Sequence, residues 1–204
     1  MNDMNTYSEV RWHGRAQQGI VTAAKVLGET CLKSGKYVQA FPEFGPERMG
    51  APVRAYNRVS DEPIKLHSQV EHPQYVLIAD PTLIGMALAG GMESSGGVTE
   101  GATEDAVFIV NTPKSPEVMR RELELEGTKA KVFTVDATSI SLETIGRFMP
   151  NTPMLGALAK ATSLLTVENL IENFKDNYSK KYSEKVIEGN VAAMKRGYGE
   201  VKGG

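Results

Sequence analysis

The stretch that decides the fold runs Glu9-Val-Arg-Trp-His-Gly-Arg-Ala-Gln-Gln-Gly-Ile-Val-Thr-Ala-Ala-Lys25. Residues 9–13 have the pattern of a short strand. From residue 20 to residue 32, apolar side chains recur every three or four positions, as on one face of an α-helix. Residues 14–19 are therefore expected to form a tight turn from strand to helix, and Gly35 lies where a glycine commonly ends a helix.

Three more apolar runs predict the centre of a sheet: Tyr75-Val-Leu-Ile-Ala79, Ala106-Val-Phe-Ile-Val110 and Lys131-Val-Phe-Thr-Val135. Compact runs rich in β-branched residues are typical of parallel strands that are buried on both faces. Each is expected to lead into a helix, most clearly at Ser115-Pro-Glu, where serine suits the N-cap and proline the first helical position. Residues 36–41 and 53–59 alternate polar with apolar side chains, which predicts two strands with one face less deeply buried.

The order of these elements predicts one α/β domain over residues 1–204. It would contain a doubly wound or mixed sheet with helices on both faces and a helical C-terminal third. We take residues 154–204 as a helical C-terminal extension, and expect residues 197–204 to fray or to reach onto a neighbour. The glycine-rich segment 90–101 is expected to be a surface loop.

Composition excludes several classes of function. The chain has 204 residues, with 23 Lys and Arg against 25 Asp and Glu, so neither nucleic acid nor an anionic membrane is expected as a main partner. Its longest uninterrupted apolar runs are far shorter than a membrane-spanning helix requires. The N-terminus lacks the pattern of a secretory signal, which points to the cytoplasm. The single cysteine, Cys31, and three scattered histidines predict no metal site.

The turn at residues 14–19 is the strongest candidate for ligand binding. A strand-to-helix turn directs backbone N–H groups and the positive helix end toward an anion such as a phosphate. Gly14 would allow the tight turn, Gly19 would allow close approach of a ligand, and Arg15 would add a charge-assisted contact. Gln17 and Gln18 can donate amide hydrogen bonds. A close turn that binds no ligand explains the same residues, and the G-x-G-x-x-G dinucleotide fingerprint is not matched.

The loop from Phe41 to Pro52, with three prolines and two glycines, is the second candidate. Arg48 is its best anion contact, and Phe41 and Phe44 could pack on an adenine or on a partner. A proline-stiffened connection whose phenylalanines fill the core remains an equal alternative.

Polar residues elsewhere favour structural roles. Asp80, Asn111 and Asp136 each follow a core strand, where short polar side chains commonly cap turns and helices. Cys31 lies in the first predicted helix and is expected to act as a small apolar residue. No nucleophile, histidine and carboxylate have a helpful spacing, so we predict no catalytic residue. The chain looks more like a binding component than a complete catalyst.

Two continuous motifs carry a specific resemblance. They are Val10-Arg-Trp-His-Gly-Arg-Ala-Gln-Gln-Gly-Ile-Val-Thr-Ala-Ala-Lys25 and Gly35-Lys-Tyr-Val-Gln-Ala-Phe-Pro-Glu-Phe-Gly-Pro-Glu-Arg-Met-Gly-Ala-Pro-Val-Arg-Ala-Tyr-Asn-Arg-Val-Ser60. The chain resembles the gamma subunit of pyruvate:ferredoxin oxidoreductase and of related 2-oxoacid:acceptor oxidoreductases. The likeness continues through Asp61-Glu-Pro-Ile, Val76-Leu-Ile-Ala-Asp80, Asn111-Thr112 and Met154-Leu-Gly-Ala-Leu158, and so covers most of the chain.

This resemblance implies a subunit of a thiamine-dependent enzyme that converts a 2-oxoacid and coenzyme A to an acyl-coenzyme A, carbon dioxide and two electrons. Thiamine diphosphate, magnesium and [4Fe–4S] clusters would lie in partner subunits of alpha, beta and delta type, with ferredoxin as the expected acceptor. This chain would close over coenzyme A. The resemblance places the phosphates against Gly14, Arg15, Gln17, Gln18 and Gly19, with Arg48 and Lys25 nearby.

One departure from the family pattern concerns this turn, which in the family usually reads Gly-Arg-Gly-Gly-Gln-Gly. Here Ala16 and Gln17 replace two glycines, and a residue with a side chain is disfavoured wherever φ is positive. Coenzyme A binding at this turn is therefore a separate question from membership of the family.

Three hypotheses remain open from sequence. The first is the gamma subunit, acting on pyruvate or on another 2-oxoacid such as phenylglyoxylate or a branched-chain acid. The second is a stand-alone Rossmann-type nucleotide-binding protein, which would need a ribose-binding acid that the sequence does not offer. The third is a structural subunit that has lost ligand binding.

Overall fold

The computed structural model describes residues 7–43, 50–85 and 97–204. Within these ranges seven strands form one mixed sheet and six α-helices surround it. The strands are β1 (Ser8–Arg15), β2 (Tyr37–Glu43), β3 (Pro52–Ser60), β4 (Tyr75–Ile78), β5 (Val107–Asn111), β6 (Lys131–Val135) and β7 (Lys202–Gly203). The helices are α1 (Ile20–Lys33), α2 (Pro116–Glu122), α3 (Ala137–Ile145), α4 (Asn151–Ala161), α5 (Val167–Tyr178) and α6 (Glu184–Glu200).

The order of the strands places a crevice between β1 and β4. Across the sheet the strands run β2-β3-β1-β4-β5-β6-β7. Strands β1, β4, β5 and β6 are parallel, whereas β3 is inserted antiparallel between β1 and β2. After β1 the chain turns to one side of the sheet, and from β4 onward it builds the other side. The predicted mixed α/β sheet is confirmed, and ligands of such sheets bind where the strand order reverses.

One face of the sheet carries the larger apolar core. Val10 and Trp12 of β1, Leu77 of β4 and Ile109 of β5 pack there with α1 and with the C-terminal helices. Trp12 donates from Nε1 to Asn57 Oδ1, and Asn57 in turn donates to the carbonyl of Ala24 in α1. This polar relay satisfies the only hydrogen-bonding atom of the indole, so the ring can be completely buried.

The opposite face is covered by α2 and by connecting segments. A second apolar cluster, which includes Val76, Phe108 and Met119, lies under α2. Helices therefore cover both faces, as the sequence predicts. Ser115 caps α2 through Oγ, which accepts from the N–H of Val118 at 3.4 Å, and Pro116 is the first helical residue.

On the same face of the sheet, next to that cluster, β1 and β3 carry charged side chains that are nevertheless buried. Glu9 accepts from Nε of Arg58 at 2.7 Å, and Arg58 is completely buried. The Arg58 guanidinium also donates to the carbonyls of Ser68 and Gln69 in the connection before β4. The expectation of a less deeply buried face is therefore wrong for β3, because this connection covers it.

Two glycines bring α4 and α6 into backbone contact. A β-carbon at Gly156 would lie 1.9 Å from the carbonyl oxygen of Met194, and one at Gly197 would lie 1.9 Å from that of Pro153. Real β-carbons do not approach a carbonyl oxygen so closely. The two helices can therefore cross at this distance only because both positions are glycine.

Two details of the sequence interpretation need correction, and a third lies partly outside the described residues. Gly14 and Arg15 belong to β1, because their pairing with β3 continues to Pro52. After β4 the described residues contain a 3-10 turn, Pro81–Leu83, and residues 86–96, where the expected helix could continue, lie outside them. The C-terminal residues do not fray: α6 reaches Glu200, and β7 then pairs antiparallel with β6. Much of the predicted loop 90–101 lies outside the described residues.

Among the described helices, none is both long enough and apolar enough to cross a membrane.

Candidate functional site

The candidate site lies at the carboxyl ends of β1 and β4, where the strand order reverses. Arg15 is the last residue of β1, residues 16–19 form the turn, and α1 begins at Ile20. Asp80 follows β4 and comes next to this turn. The crevice thus contains the described residues of the set predicted from sequence: Gly14, Arg15, Gln17, Gln18 and Gly19.

Arg15 connects three segments of the chain at this edge. Its guanidinium donates to Thr82 Oγ1 from Nη2 at 2.8 Å, and to the carbonyl of Gly50 from Nη1 at 3.0 Å. Its Nε lies 3.2 Å from Asp80 Oδ2. These contacts hold the guanidinium beside the turn, although sequence reasoning had not found Thr82 or Gly50 as partners. The only available signal was that Asp80 and Thr82 follow a core strand.

Asp80 is ionised and largely offsets the charge of Arg15. Burial raises the pKa of this carboxyl, but hydrogen bonds from Thr82 and Gln18 and the positive charge of Arg15 together lower the pKa below its ordinary value. Oδ1 accepts from the N–H and the hydroxyl of Thr82, and Oδ2 accepts from Nε2 of Gln18 at 2.8 Å. An anion at this crevice would therefore meet hydrogen-bond donors rather than a strong net positive charge.

The turn itself contains two left-handed residues. Gln17 has φ +77° and Gly19 has φ +74°. Glycine adopts this conformation freely, whereas a residue with a side chain pays a penalty of about 1 kcal/mol. Ala16, in contrast, is absent from the positive-φ positions. Of the two replacements noted in the sequence, only Gln17 introduces strain.

Gln18 is buried and stabilises the turn. Its Oε1 accepts from the N–H of Arg15 at 2.8 Å, while its Nε2 donates to Asp80. Both ends of the amide are therefore engaged within the protein. Gln18 therefore connects the turn to the residue that follows β4, and its Nε2 keeps a second N–H that is not used in these bonds.

The N-terminus of α1 retains unpaired positive character. Its N-cap is Gly19, which has no side chain to accept from the first N–H groups, and no acidic residue lies in the first turn. Helix α2 differs, since Ser115 caps it and Glu117 lies in its first turn. Helix N-termini without such compensation favour anions, including phosphates.

A cavity of about 350 Å³ continues from the turn along the ends of β4, β5 and β6. Gln18, Asp80, Asn111, Asp136 and Phe148 contribute to its lining. The amide of Asn111 bridges the carbonyl of Ala79 and the N–H of Thr138, and Asp136 accepts from the N–H of Ser139 at the start of α3. The predicted capping roles of Asp80 and Asp136 are confirmed, whereas Asn111 connects β5 to the start of α3 instead of capping the turn that follows it.

Phe148 is the part of this cavity that the sequence interpretation missed. It lies between α3 and α4 and is 48% exposed, although it is a large apolar residue. Its place after Gly146, which ends α3 with a positive φ, was the available signal. Phe41, by comparison, packs against the Tyr56 ring, with centroids 5.3 Å apart.

The two remaining predicted phosphate contacts are Arg48 and Lys25. Arg48 lies outside the described residues, as does Phe44. Lys25 is exposed on α1, and its Nζ lies 3.7 Å from Glu29, one turn farther along the helix. Cys31 is buried, and burial raises the pKa of its thiol to about 11, so it is not a reactive thiolate.

The sequence matches the family model described as pyruvate ferredoxin/flavodoxin oxidoreductase over residues 9–200. The chain belongs to this family. It is 45% identical over 196 residues to the pyruvate synthase subunit PorC of Thermotoga maritima, with 96% of this chain and 95% of that one covered. It is also 45% identical over 162 residues to the pyruvate/ketoisovalerate oxidoreductases common subunit gamma of Pyrococcus abyssi, covering 79% and 82% of the two chains. The resemblance to gamma subunits and the assignment to an oxidoreductase are thereby confirmed.

Solved structures give the same result for the fold of this family member. The crystal structure of the Thermotoga maritima pyruvate oxidoreductase subunit PORC matches with a TM-score of 0.81 and 42% identity, over 98% of this chain and 99% of that one. The 2-oxoglutarate:ferredoxin oxidoreductase of Magnetococcus marinus, solved with 2-oxoglutarate, coenzyme A and succinyl-CoA, matches with a TM-score of 0.72 at 16% identity. That match covers 96% of this chain but 31% of the other. In that protein the shared fold is one part of a longer polypeptide.

Proposed function

We propose that this chain is the gamma subunit of a thiamine-dependent pyruvate:ferredoxin oxidoreductase and that it closes over coenzyme A. The observation that carries the proposal is the near full-length, 45% identical match to a pyruvate synthase subunit. The crevice adds physical support, because the N-terminus of α1 is uncapped and Arg15 lies beside it. A protein of the same fold has been solved with coenzyme A bound.

In this proposal the chain binds and orients the substrate but supplies no reacting group. Backbone N–H groups at the start of α1 would receive a phosphate of coenzyme A, and Arg15 would approach it from the end of β1. Since Asp80 already pairs with Arg15, a phosphate would share the guanidinium with the carboxylate. Fixing the thiol donor in one orientation lowers the entropic cost of its attack on the acyl group.

The rest of the chemistry would belong to partners. Thiamine diphosphate with magnesium, and the [4Fe–4S] clusters, would lie in alpha, beta and delta-type subunits, with ferredoxin as acceptor and the cytoplasm as location. Thiamine diphosphate would supply the stabilised carbanion to which the acyl group is attached. Native mass spectrometry of the complex, purified without oxygen, tests this division: larger thiamine- and cluster-bearing partners are expected. A cofactor-free chain without partners would contradict it.

The coenzyme A role has its own test in the assembled complex. We expect Arg15→Gln to raise KM for coenzyme A about tenfold or more, since charge-assisted contacts are stronger than neutral ones, while KM for pyruvate stays unchanged. Arg121→Gln, which removes an exposed cation from α2, is the matched control. Equal KM values for coenzyme A in the two variants would contradict binding at this turn, although membership of the complex would stand.

A branched-chain 2-oxoacid is the second candidate substrate. The relative from Pyrococcus abyssi is a subunit common to pyruvate and ketoisovalerate oxidoreductases. A gamma subunit that serves two enzymes implies that the 2-oxoacid is selected elsewhere. Comparing kcat/KM for pyruvate, 2-ketoisovalerate and phenylglyoxylate with the native complex would decide among them.

A further inference from the structure

A second cavity, which we term the helical cavity, lies among the helices on the face of the sheet that carries the larger core. It has a volume of about 500 Å³ and is lined by residues of α1, α3, α4, α5 and α6 and of the connections that follow α3 and α5. It shares no lining residue with the cavity at the strand ends. Its volume lies in the range of pockets that hold small organic ligands.

An aromatic stack forms one wall of the helical cavity. Phe174 and Tyr178 stack with centroids 4.9 Å apart, and Tyr178 stacks on Tyr182 at 6.0 Å. Phe174 and Tyr178 are buried, whereas Tyr182 is 51% exposed. The wall therefore runs from the interior to the surface and presents a continuous apolar face to any molecule that enters.

The rim of the cavity is positively charged. Arg147 and Lys185 both line it and both are exposed. Neither has an ion pair among the described residues, whereas nearby Lys33 pairs with Glu172 and Arg196 pairs with Glu143. Two unpaired cations at the opening of an apolar cavity are complementary to an anionic group that stays near the solvent.

We propose that the helical cavity binds a small amphipathic organic anion. Its aromatic or aliphatic body would lie against Phe174 and Tyr178, and its carboxylate or sulfonate would face Arg147 and Lys185. This proposal is independent of the coenzyme A role, because the two cavities are separate.

The probe 8-anilinonaphthalene-1-sulfonate combines these two features, and N-phenyl-1-naphthylamine has the same body without the sulfonate. Fluorescence titration of the full chain should give saturable binding of both. In the double variant Arg147→Gln/Lys185→Gln, we expect the Kd for the sulfonate to rise about tenfold and that for the neutral probe to stay unchanged. Lys65→Gln/Arg121→Gln, which removes two exposed cations elsewhere, should leave both Kd values at the level of the unmodified chain.

Two results would overturn the proposal as a whole. One is a Kd for the sulfonate that is the same in the rim variant and in the control variant. The other is binding to the isolated chain that disappears in the assembled complex, because a partner subunit would then occupy the cavity. Retained binding in the complex, with the expected charge dependence, would support the proposal.

Discussion

On one face of β1, Val10 and Trp12 pack against α1, whereas on the other face Glu9, Arg11 and His13 are buried under connecting segments. Both faces exclude water, but they do so by different means. The first is stabilised by apolar contact and close packing. The second depends on specific partners for each charge, such as Glu9 for Arg58.

The two faces differ in the substitutions that destabilise them. An apolar face loses stability in proportion to the volume that is removed or added. A buried charge instead loses most when its partner is removed, because the remaining charge has no solvent to stabilise it. Arg11 shows the cost directly: burial, together with the nearby charge of Arg54, lowers the pKa of its guanidinium to about 10.

The largest expected effect comes from breaking the buried ion pair. Arg58→Met leaves the Glu9 carboxylate buried and unpaired, so the free energy of unfolding in urea should fall by about 3–5 kcal/mol. Lys36→Met, which breaks an exposed pair with Asp61, is the matched control and should cost less than about 1 kcal/mol. Similar losses in the two variants would mean that the charged face is not stabilised by this pair.

The face that α4 and α6 cover should be destabilised by a larger side chain instead. Gly197→Ala places a β-carbon against the carbonyl of Pro153, and we expect a loss of about 1–3 kcal/mol or more in urea unfolding. Gly199→Ala, on the same helix, meets no atom within 4 Å and should be neutral or stabilising by up to about 1 kcal/mol. If both variants behaved alike, the close crossing of α4 and α6 would be refuted.

The charged face should also make stability depend on pH. Burial, with Arg11 and Arg54 nearby, lowers the pKa of His13 well below its usual range. Below about pH 6.5 the unfolded chain therefore binds a proton that the folded chain excludes, and stability falls by up to about 1.4 kcal/mol per pH unit. Unfolding measured from pH 7.5 to 5.5 should show a flatter profile for His13→Gln. The exposed His67→Gln serves as control, and a profile for His13→Gln as steep as that of the unmodified chain would contradict the burial of a neutral His13.

The smallest expected effect on stability concerns the turn from β1 to α1, residues 16–19. Gln17→Gly relieves a positive φ and should raise the free energy of unfolding by up to about 1 kcal/mol. Ala16→Gly, one residue earlier, gains nothing in the folded state and should lower it by about 0.4–1 kcal/mol because the unfolded chain becomes more flexible. If the free energy of unfolding rose in both variants, the assignment of a left-handed conformation to Gln17 and not to Ala16 would be wrong.

The sequence predicted the apolar strands and the helices well, because their signals are local. The runs at β4, β5 and β6, the periodicity of α1 and the Ser115 cap each appear within a few neighbouring residues. The charged face could not be predicted, since the burial of Arg58 depends on carbonyl groups that the later connection before β4 supplies. Strand β7 has two residues, and only its position beside β6 makes it a strand.

The same distinction between local and long-range signals applies to the candidate site. Gly14, Arg15 and Gln18 could be selected from the pattern of a strand-to-helix turn. Their pairing with Asp80 and Thr82 depends on the order of strands across the sheet, which residue patterns do not specify. The helical cavity left no signal at all, because its residues come from helices that are distant in sequence and converge only in the folded chain.

We expect the glycine crossing to determine how the C-terminal part opens. Because α4 and α6 meet backbone to backbone, they should open as one cooperative unit, whereas α5 lies between them in the chain. In amide hydrogen exchange, we therefore expect α5 to open and close more readily than the crossing. The amides around Gly156 and Gly197 would then exchange only when the whole domain unfolds, so that α5 and this crossing differ in their protection although they are neighbours in space.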